Sequence, residues 1–344
     1  MKRLILFSIM AAGLISCQSR NNCEGIRFSN PVISSDHPDP TAIFCEEDGC
    51  YYSTATGWNV PLWRSTDLVN WEETDIRPFS ECTDSTMRTL GQHCWAPQLT
   101  KIAGRYLLYQ TIRSGARDSR IVVSSAEAVT GPYEFKGVVT DGLVTGIKDT
   151  IDPYVFKDEE SGKVWLVFGS IGGIHIVELD SDGLGIREGA EYIHIAGRDV
   201  NEDLSRLTVF EGSYMYKHDG WWYLFASAGQ YNDYSYAILT GRSRTPEGPF
   251  TDRNGRNMTE GYAEVVLSSS PYDVFYGPGH NGEIFRMTDG REYMIYHVHH
   301  GDYRLDRIPG GYIPRPMNLQ QIHWDAGGWP YFDKDGTPGG TILP

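Results

Sequence analysis

Five aromatic-rich apolar runs punctuate the chain: YYSTAT from Tyr51, RYLLYQT from Arg105, VWLVFGS from Val164, WWYLFAS from Trp221 and EYMIYHV from Glu292. Each is continuously apolar or alternates with period two, the pattern of strands buried between stacked sheets. A glycine precedes each run (Gly49, Gly104, Gly162, Gly220 and Gly290), and before it lies a shorter entering strand. The pattern predicts five hairpins. More polar outer strands follow them, for example PLWRSTDLVNWEE, SRIVVSSA and YAILTGRS, and the last two continue into matching GP-aromatic turns, VTGPYEFKG and RTPEGPFTD. Helical periodicity with caps is absent beyond the first residues.

The residues that open the five copies are Asp39, Ala96, Asp152, Glu211 and His280, at spacings of 57, 56, 59 and 69. A fixed period of this size, carried by β hairpins, predicts an all-β fold: a single five-bladed β-propeller over residues 30–344. Equivalent positions in a radial repeat lie on a ring about the axis. Three carboxylates and a histidine, far apart in sequence, are therefore expected to meet there.

Ahead of the repeats, Lys2 and Arg3 are followed by an apolar stretch from Leu4 to Ile15, the form of a secretory signal over residues 1–16. Its end, Leu14-Ile15-Ser16-Cys17, resembles a bacterial lipobox. The expectation is an exported domain anchored by lipid at Cys17, in the bacterial periplasm or outer membrane, with residues 17–29 as a polar tether. The remaining cysteines suit an oxidising compartment. Cys45 and Cys50 flank one turn and are placed to pair, Cys82 and Cys94 bracket a loop, and Cys23 is left over. The net charge of −15 argues against a nucleic-acid partner and is indifferent to a neutral polymer.

Carboxylates converging in an aromatic-lined depression suit glycosidic hydrolysis, which needs a protonated acid at the leaving oxygen and an ionised carboxylate across the sugar. Trp58, Trp95, Trp221 and Trp222 lie near the repeat strands as candidate sugar platforms, and Trp95 directly precedes a ring position. His297, His299 and His300 form a further cluster. Strand alternation points the first and second of these to one face, with no evident carboxylate partner, as subsite or core residues.

NPVISSDHPDPTAIF, WAPQLTKIAGRYLLYQT, DTIDPYVFKD, FEGSYMYKHDGWWYLF and RPMNLQQIHWDAGGWP, in this order, resemble the motifs of glycoside hydrolase family 43, five-bladed propellers acting on arabinan and xylan. The resemblance implies Asp39 as general base, Glu211 as general acid, and Asp152 as the residue that positions the acid and raises its pKa. It implies Arg315, nine residues before Trp324, as a partner of a site carboxylate or a substrate hydroxyl. His280, in YGPGHN, matches a histidine lying at an axial metal ion, so one calcium ion is expected there and no organic cofactor. The substrate class implied is a plant cell-wall polysaccharide, arabinan or a related pentosan. The strand PLWRSTDLVNWEE and the GPGHN motif look closest to the endo-1,5-α-L-arabinanases. An exo-acting α-L-arabinofuranosidase or β-xylosidase of the same fold is the alternative, and a non-catalytic glycan-binding propeller the alternative from another class.

Overall fold

The computed structural model describes residues 25–78, 89–91, 93–114, 118–198, 209–271, 273–301, 312–333 and 339–342. The strand β1 (Ile26–Ser29) precedes five antiparallel sheets. Blade one is β2 (Thr41–Cys45), β3 (Cys50–Thr54), β4 (Trp63–Ser65) and β5 (Trp71–Glu73). Blade two is β6 (His93–Ile102), β7 (Arg105–Arg113), β8 (Ser119–Ala126) and β9 (Glu134–Asp141). Blade three is β10 (Tyr154–Lys157), β11 (Val164–Ser170), β12 (Gly173–Leu179) and β13 (Ile193–Ala196). Blade four is β14 (Glu211–His218), β15 (Trp221–Ala228), β16 (Ala237–Ser243) and β17 (Glu264–Leu267). Blade five runs β18 (Phe275–Gly279), β20 (Glu292–His300), β21 (Met317–Trp324) and β22 (Pro330–Tyr331), with β19 (Ile284–Arg286) also paired to β20.

The second strand of each blade carries one of the five apolar runs, and its two faces serve different cores. Tyr106 and Leu108 pack against blade one, whereas Leu107 and Tyr109 pack against blade three. Trp222, Leu224 and Ala226 face blade three while Tyr223 and Phe225 face blade five. Met294, Tyr296 and Val298 face blade four, and Tyr293 and Ile295 close the circle onto blade one. The molecule therefore has five inter-blade cores. A strand buried on both faces carries apolar residues on both, which is why these runs read as largely continuous. The five hairpin glycines all take positive φ, from 68° to 84°, and a Cβ would meet open space at four of them and only ordinary contact with Arg244 at Gly220, so conformation selects them. Both GP-aromatic turns contain cis peptide bonds, at Gly131-Pro132 and Gly248-Pro249.

Two expectations need correction. Ile26–Ser29, placed in the tether, form β1 and pair with β23 (Gly339–Ile342), so the folded unit starts before residue 30. The segment containing Trp324 is the third strand of blade five, and the N-terminal chain meets it through hydrogen bonds of Val32 and Ile33 with Met317. Cys45 and Cys50 stand directly opposite on β2 and β3 but are separate thiols, the first bonded to Glu47 and Tyr106, the second to Arg64 and Asp48. Cys17, Cys23, Cys82 and the signal segment lie outside the described residues. Among the described residues no helix is long and apolar enough to cross a membrane.

Candidate active site

Asp39 ends the approach to β2 in the left-handed region, φ 52°, and its repeat mates Ala96, Asp152 and His280 share that conformation at 40°, 59° and 43°. Blade four departs from this: Glu211 begins β14 and the positive φ passes to Gly212, 60°. A Cβ on Gly212 would stand 3.0 Å from the His280 ring, so glycine is required for the approach as well as for the angle. The three carboxylates stand at or just before the first strands of their blades, and the fold brings them together. They line one cavity of about 450 Å³ together with Trp95, Ser170, Tyr236, His280 and Arg315. A larger depression of about 1050 Å³ lies between blades four and five, but its two acids, Asp273 and Asp333, are tied to Ser270 and His323. Chemistry, not size, singles out the smaller one.

The Asp39 carboxylate is buried and fully partnered. Its Oδ1 accepts from Arg315 Nη1 at 2.8 Å and lies 3.3 Å from His280 Nδ1, and its Oδ2 accepts from Thr56 Oγ1 at 2.6 Å. Burial alone would push its pKa up. The Arg315 guanidinium and the His280 ring outweigh burial and hold the carboxyl well below its ordinary range, so it is ionised at neutral pH. Arg315 is itself placed by Asp36, whose Oδ1 accepts its backbone N–H at 2.8 Å while Oδ2 takes the Tyr312 hydroxyl at 2.5 Å.

Asp152 behaves oppositely. Burial, then the neighbouring carboxylates of Glu211 and Asp39, raise it well above its usual value against a 2.9 Å hydrogen bond from the Gly212 N–H. The Glu211 carboxylate accepts from Ser170 Oγ at 2.9 Å and from the Tyr236 hydroxyl at 3.0 Å. Burial and the carboxylates also push the Tyr236 hydroxyl well above its usual range, which keeps it a donor. Gly279 of the GPGHN motif makes room for that ring, because a Cβ there would fall 2.0 Å from it.

Trp95 lines the cavity, with the Arg113 guanidinium 5.0 Å from its ring centroid. Trp58 does not: just past the turn at Gly57, it packs half-buried against the core between blades one and two. Trp222 is in the core between blades three and four, and Trp221 lies beneath the guanidinium groups of Arg242 and Arg244. His297 has the carboxylate neighbour that strand alternation left unseen, 3.3 Å from Asp39 Oδ1, and His299 bonds the Tyr231 carbonyl at 2.8 Å. Thr56, Ser170 and Tyr236 were absent from the sequence-derived site. Thr56 and Ser170 had a usable signal, since each ends the apolar run of its hairpin.

His280 presents one imidazole to the axis, and its Nδ1 already faces Asp39. Among the described residues no group of three or more His, Cys, Asp or Glu side chains could hold a metal. Calcium takes roughly six to eight oxygen ligands, so these side chains do not fit a protein-built calcium site.

Residues 28–330 match the family profile Glycosyl hydrolases family 43. The chain is 27% identical to the extracellular exo-alpha-(1->5)-L-arabinofuranosidase of Cellvibrio japonicus, with 87% of each chain covered. It is 26% identical to the extracellular endo-alpha-(1->5)-L-arabinanase 2 of Bacillus subtilis, covering 85% of this chain and 69% of that one. The solved alpha-L-arabinanase of Cellvibrio cellulosa superposes with a TM-score of 0.74 at 25% identity, covering 88% of this chain and 96% of that one. A family match across nearly the whole propeller joins the carboxylate geometry and the repeat: the chain is a glycoside hydrolase and belongs to glycosyl hydrolase family 43.

Proposed function

We propose that this chain is an inverting hydrolase of α-L-arabinofuranosyl linkages in arabinan, acting as an endo-1,5-α-L-arabinanase. The observation that carries the reading is the pair of unlike carboxyl environments in one cavity: Asp39 kept ionised by Arg315, and Glu211 beside an Asp152 that resists ionisation. Carboxyl groups held in opposite ionisation states within one cavity are the setting that base and acid chemistry across a glycosidic bond requires.

In this mechanism Glu211 gives its proton to the leaving glycosidic oxygen as the bond to the anomeric carbon breaks. Asp39 takes a proton from water, whose oxygen forms the new bond from the opposite face. Solvent then returns each carboxyl to its starting state. Burial, then the neighbouring carboxylates, raise Asp152 well above its usual range, so it keeps its proton in the cavity. Asp152 also grips the Gly212 N–H, which fixes the backbone that aims the acid. Trp95 offers the sugar face a platform, and Arg315 both holds the base and borders the substrate space.

Relatives named as endo-arabinanases and as an exo-arabinofuranosidase support the substrate class. Product sizing on debranched arabinan is the test. A ladder of oligomers, with inverted anomers seen by NMR, is expected; monomer alone makes the enzyme exo-acting, and no cleavage leaves a glycan binder. The reading extends to an exported protein, since those relatives are named extracellular, anchored by lipid at Cys17. Labelled fatty-acid incorporation that is lost in Cys17→Ala tests the anchor. An axial calcium beside His280 is a proposal resting on the family resemblance, with one imidazole as its only side-chain support, and no step above uses it. Metal analysis of the purified protein tests it, with less than a tenth of an equivalent sinking it.

A further inference from the structure

We propose that His297 and Thr56 are positioning residues for Asp39, and that they belong to a ring of five anchors, each holding the opening residue of the next blade. The inference rests on the base assignment of Asp39. The anchors recur in sequence: Thr56, Thr111, Ser227 and His297 each stand seven residues beyond their hairpin glycine, and Ser170 stands eight beyond its own.

Each reaches across a blade boundary. Thr56 Oγ1 accepts the Ala96 N–H at 2.7 Å, Thr111 Oγ1 the Asp152 N–H at 3.0 Å, and Ser227 Oγ the His280 N–H at 2.7 Å. At the seam of blades five and one, His297 Nδ1 accepts the Asp39 N–H at 3.1 Å. In blade four, where the left-handed residue has moved to Gly212, the Ser170 hydroxyl reaches the Glu211 carboxylate instead.

A non-glycine residue in the left-handed region is strained and persists only when its surroundings over-determine it. A buried N–H also requires an acceptor. One side chain meets both needs at four of the five boundaries. The four hydroxyl anchors are short; the fifth is an imidazole, fully buried and stacked at 5° on the Tyr236 ring that holds Glu211. The Asp39 N–H points at Nδ1, and burial keeps the imidazole neutral. Thr56 grips the same aspartate from the other side, since its hydroxyl donates to Asp39 Oδ2 while accepting from Ala96. Backbone and carboxylate of the base are thus fixed from two different blades.

The test compares His297→Leu with His297→Asn, whose amide oxygen can stand in for Nδ1, and Thr56→Val with Thr56→Ser, alongside Asp39→Asn. Substrates are debranched arabinan and an activated aryl arabinofuranoside, and folded fraction is checked by circular dichroism. Leu and Val are expected to lower kcat about 10- to 100-fold on both substrates, the scale of a misplaced catalytic group, with KM within about twofold. Asn and Ser are expected to restore most of kcat. A normal kcat in well-folded Leu and Val variants, a loss confined to KM, or conservative variants no better than the disruptive ones would overturn the proposal. If the Leu variant does not fold, the Thr56 pair decides by the same criteria. An active Asp39→Asn enzyme would instead overturn the base assignment beneath it.

Discussion

The side chains of the cavity divide the labour through their neighbours more than through their own chemistry. Asp39 and Asp152 are the same residue type at equivalent repeat positions with similar backbone, yet one is held ionised and the other is driven toward its neutral form. Arg315 makes the difference. In Arg315→Met the burial that pushes Asp39 up is no longer opposed by the guanidinium, so its pKa rises. The acidic limb of kcat/KM is expected to move to higher pH while the basic limb stays; an unmoved acidic limb would show that another group sets it. Glu211→Gln removes the proton donor and leaves the charge on Asp39 intact. It is expected to lower arabinan hydrolysis by about 100-fold or more, in the range of general acid catalysis. Aryl arabinofuranosides with acidic phenol leaving groups, which need little protonation, are expected to lose far less. Equal losses on both would remove the acid role from Glu211.

Among the elements, the seam between blades five and one depends on one half-buried carboxyl. Glu283, in the loop between β18 and β19, accepts from Ala42 N–H at 2.6 Å and Thr41 Oγ1 at 3.0 Å on β2. Burial lifts its pKa from 4.5 to about 7 despite those bonds. A folded pKa above the unfolded one means that the protonated carboxyl stabilises the fold. That contribution is full below about 4.5 and fades as pH rises through about 7. At about 1.4 kcal/mol per unit it amounts to a few kcal/mol. Glu283→Gln, which keeps one acceptor and turns the other atom into a donor for Thr41, is expected to abolish this loss. Its Tm should exceed that of the parent above pH 7 and match it near pH 5. Parallel Tm curves across that range would show that Glu283 does not titrate in the folded protein.

The whole molecule is held by five equivalent cores and one short sheet that ties its ends together. Deleting residues through Ser29 removes β1, the partner of β23, while leaving the five blades intact. Such a variant is expected to fold with a lower Tm and to be cut faster by protease near residues 339–342. An unchanged Tm would mean that the blade cores alone secure the circle.

At this scale the amino-acid sequence determined a great deal. Blade number, strand order and the ring positions were legible because a radial repeat writes one structural unit five times, and apolar runs buried on both faces stand out against polar outer strands. The carboxylates could be placed together before any coordinates, since repeat equivalence alone puts them around one axis. Tertiary structure decided what each ring residue touches. Trp58 stood beside Trp95 as an aromatic candidate, and packing sends it to a core while Trp95, next to its ring position, lines the cavity. His297 had no visible carboxylate partner along its strand because that partner, Asp39, is 258 positions away across the seam where blade five meets blade one. The opposite ionisation of Asp39 and Asp152 was equally out of reach, because it depends on burial and on a guanidinium that arrives from the last blade. Periodicity is a local property and survives in one dimension; contacts between distant strands, and the electrostatics they create, exist only once the circle has closed.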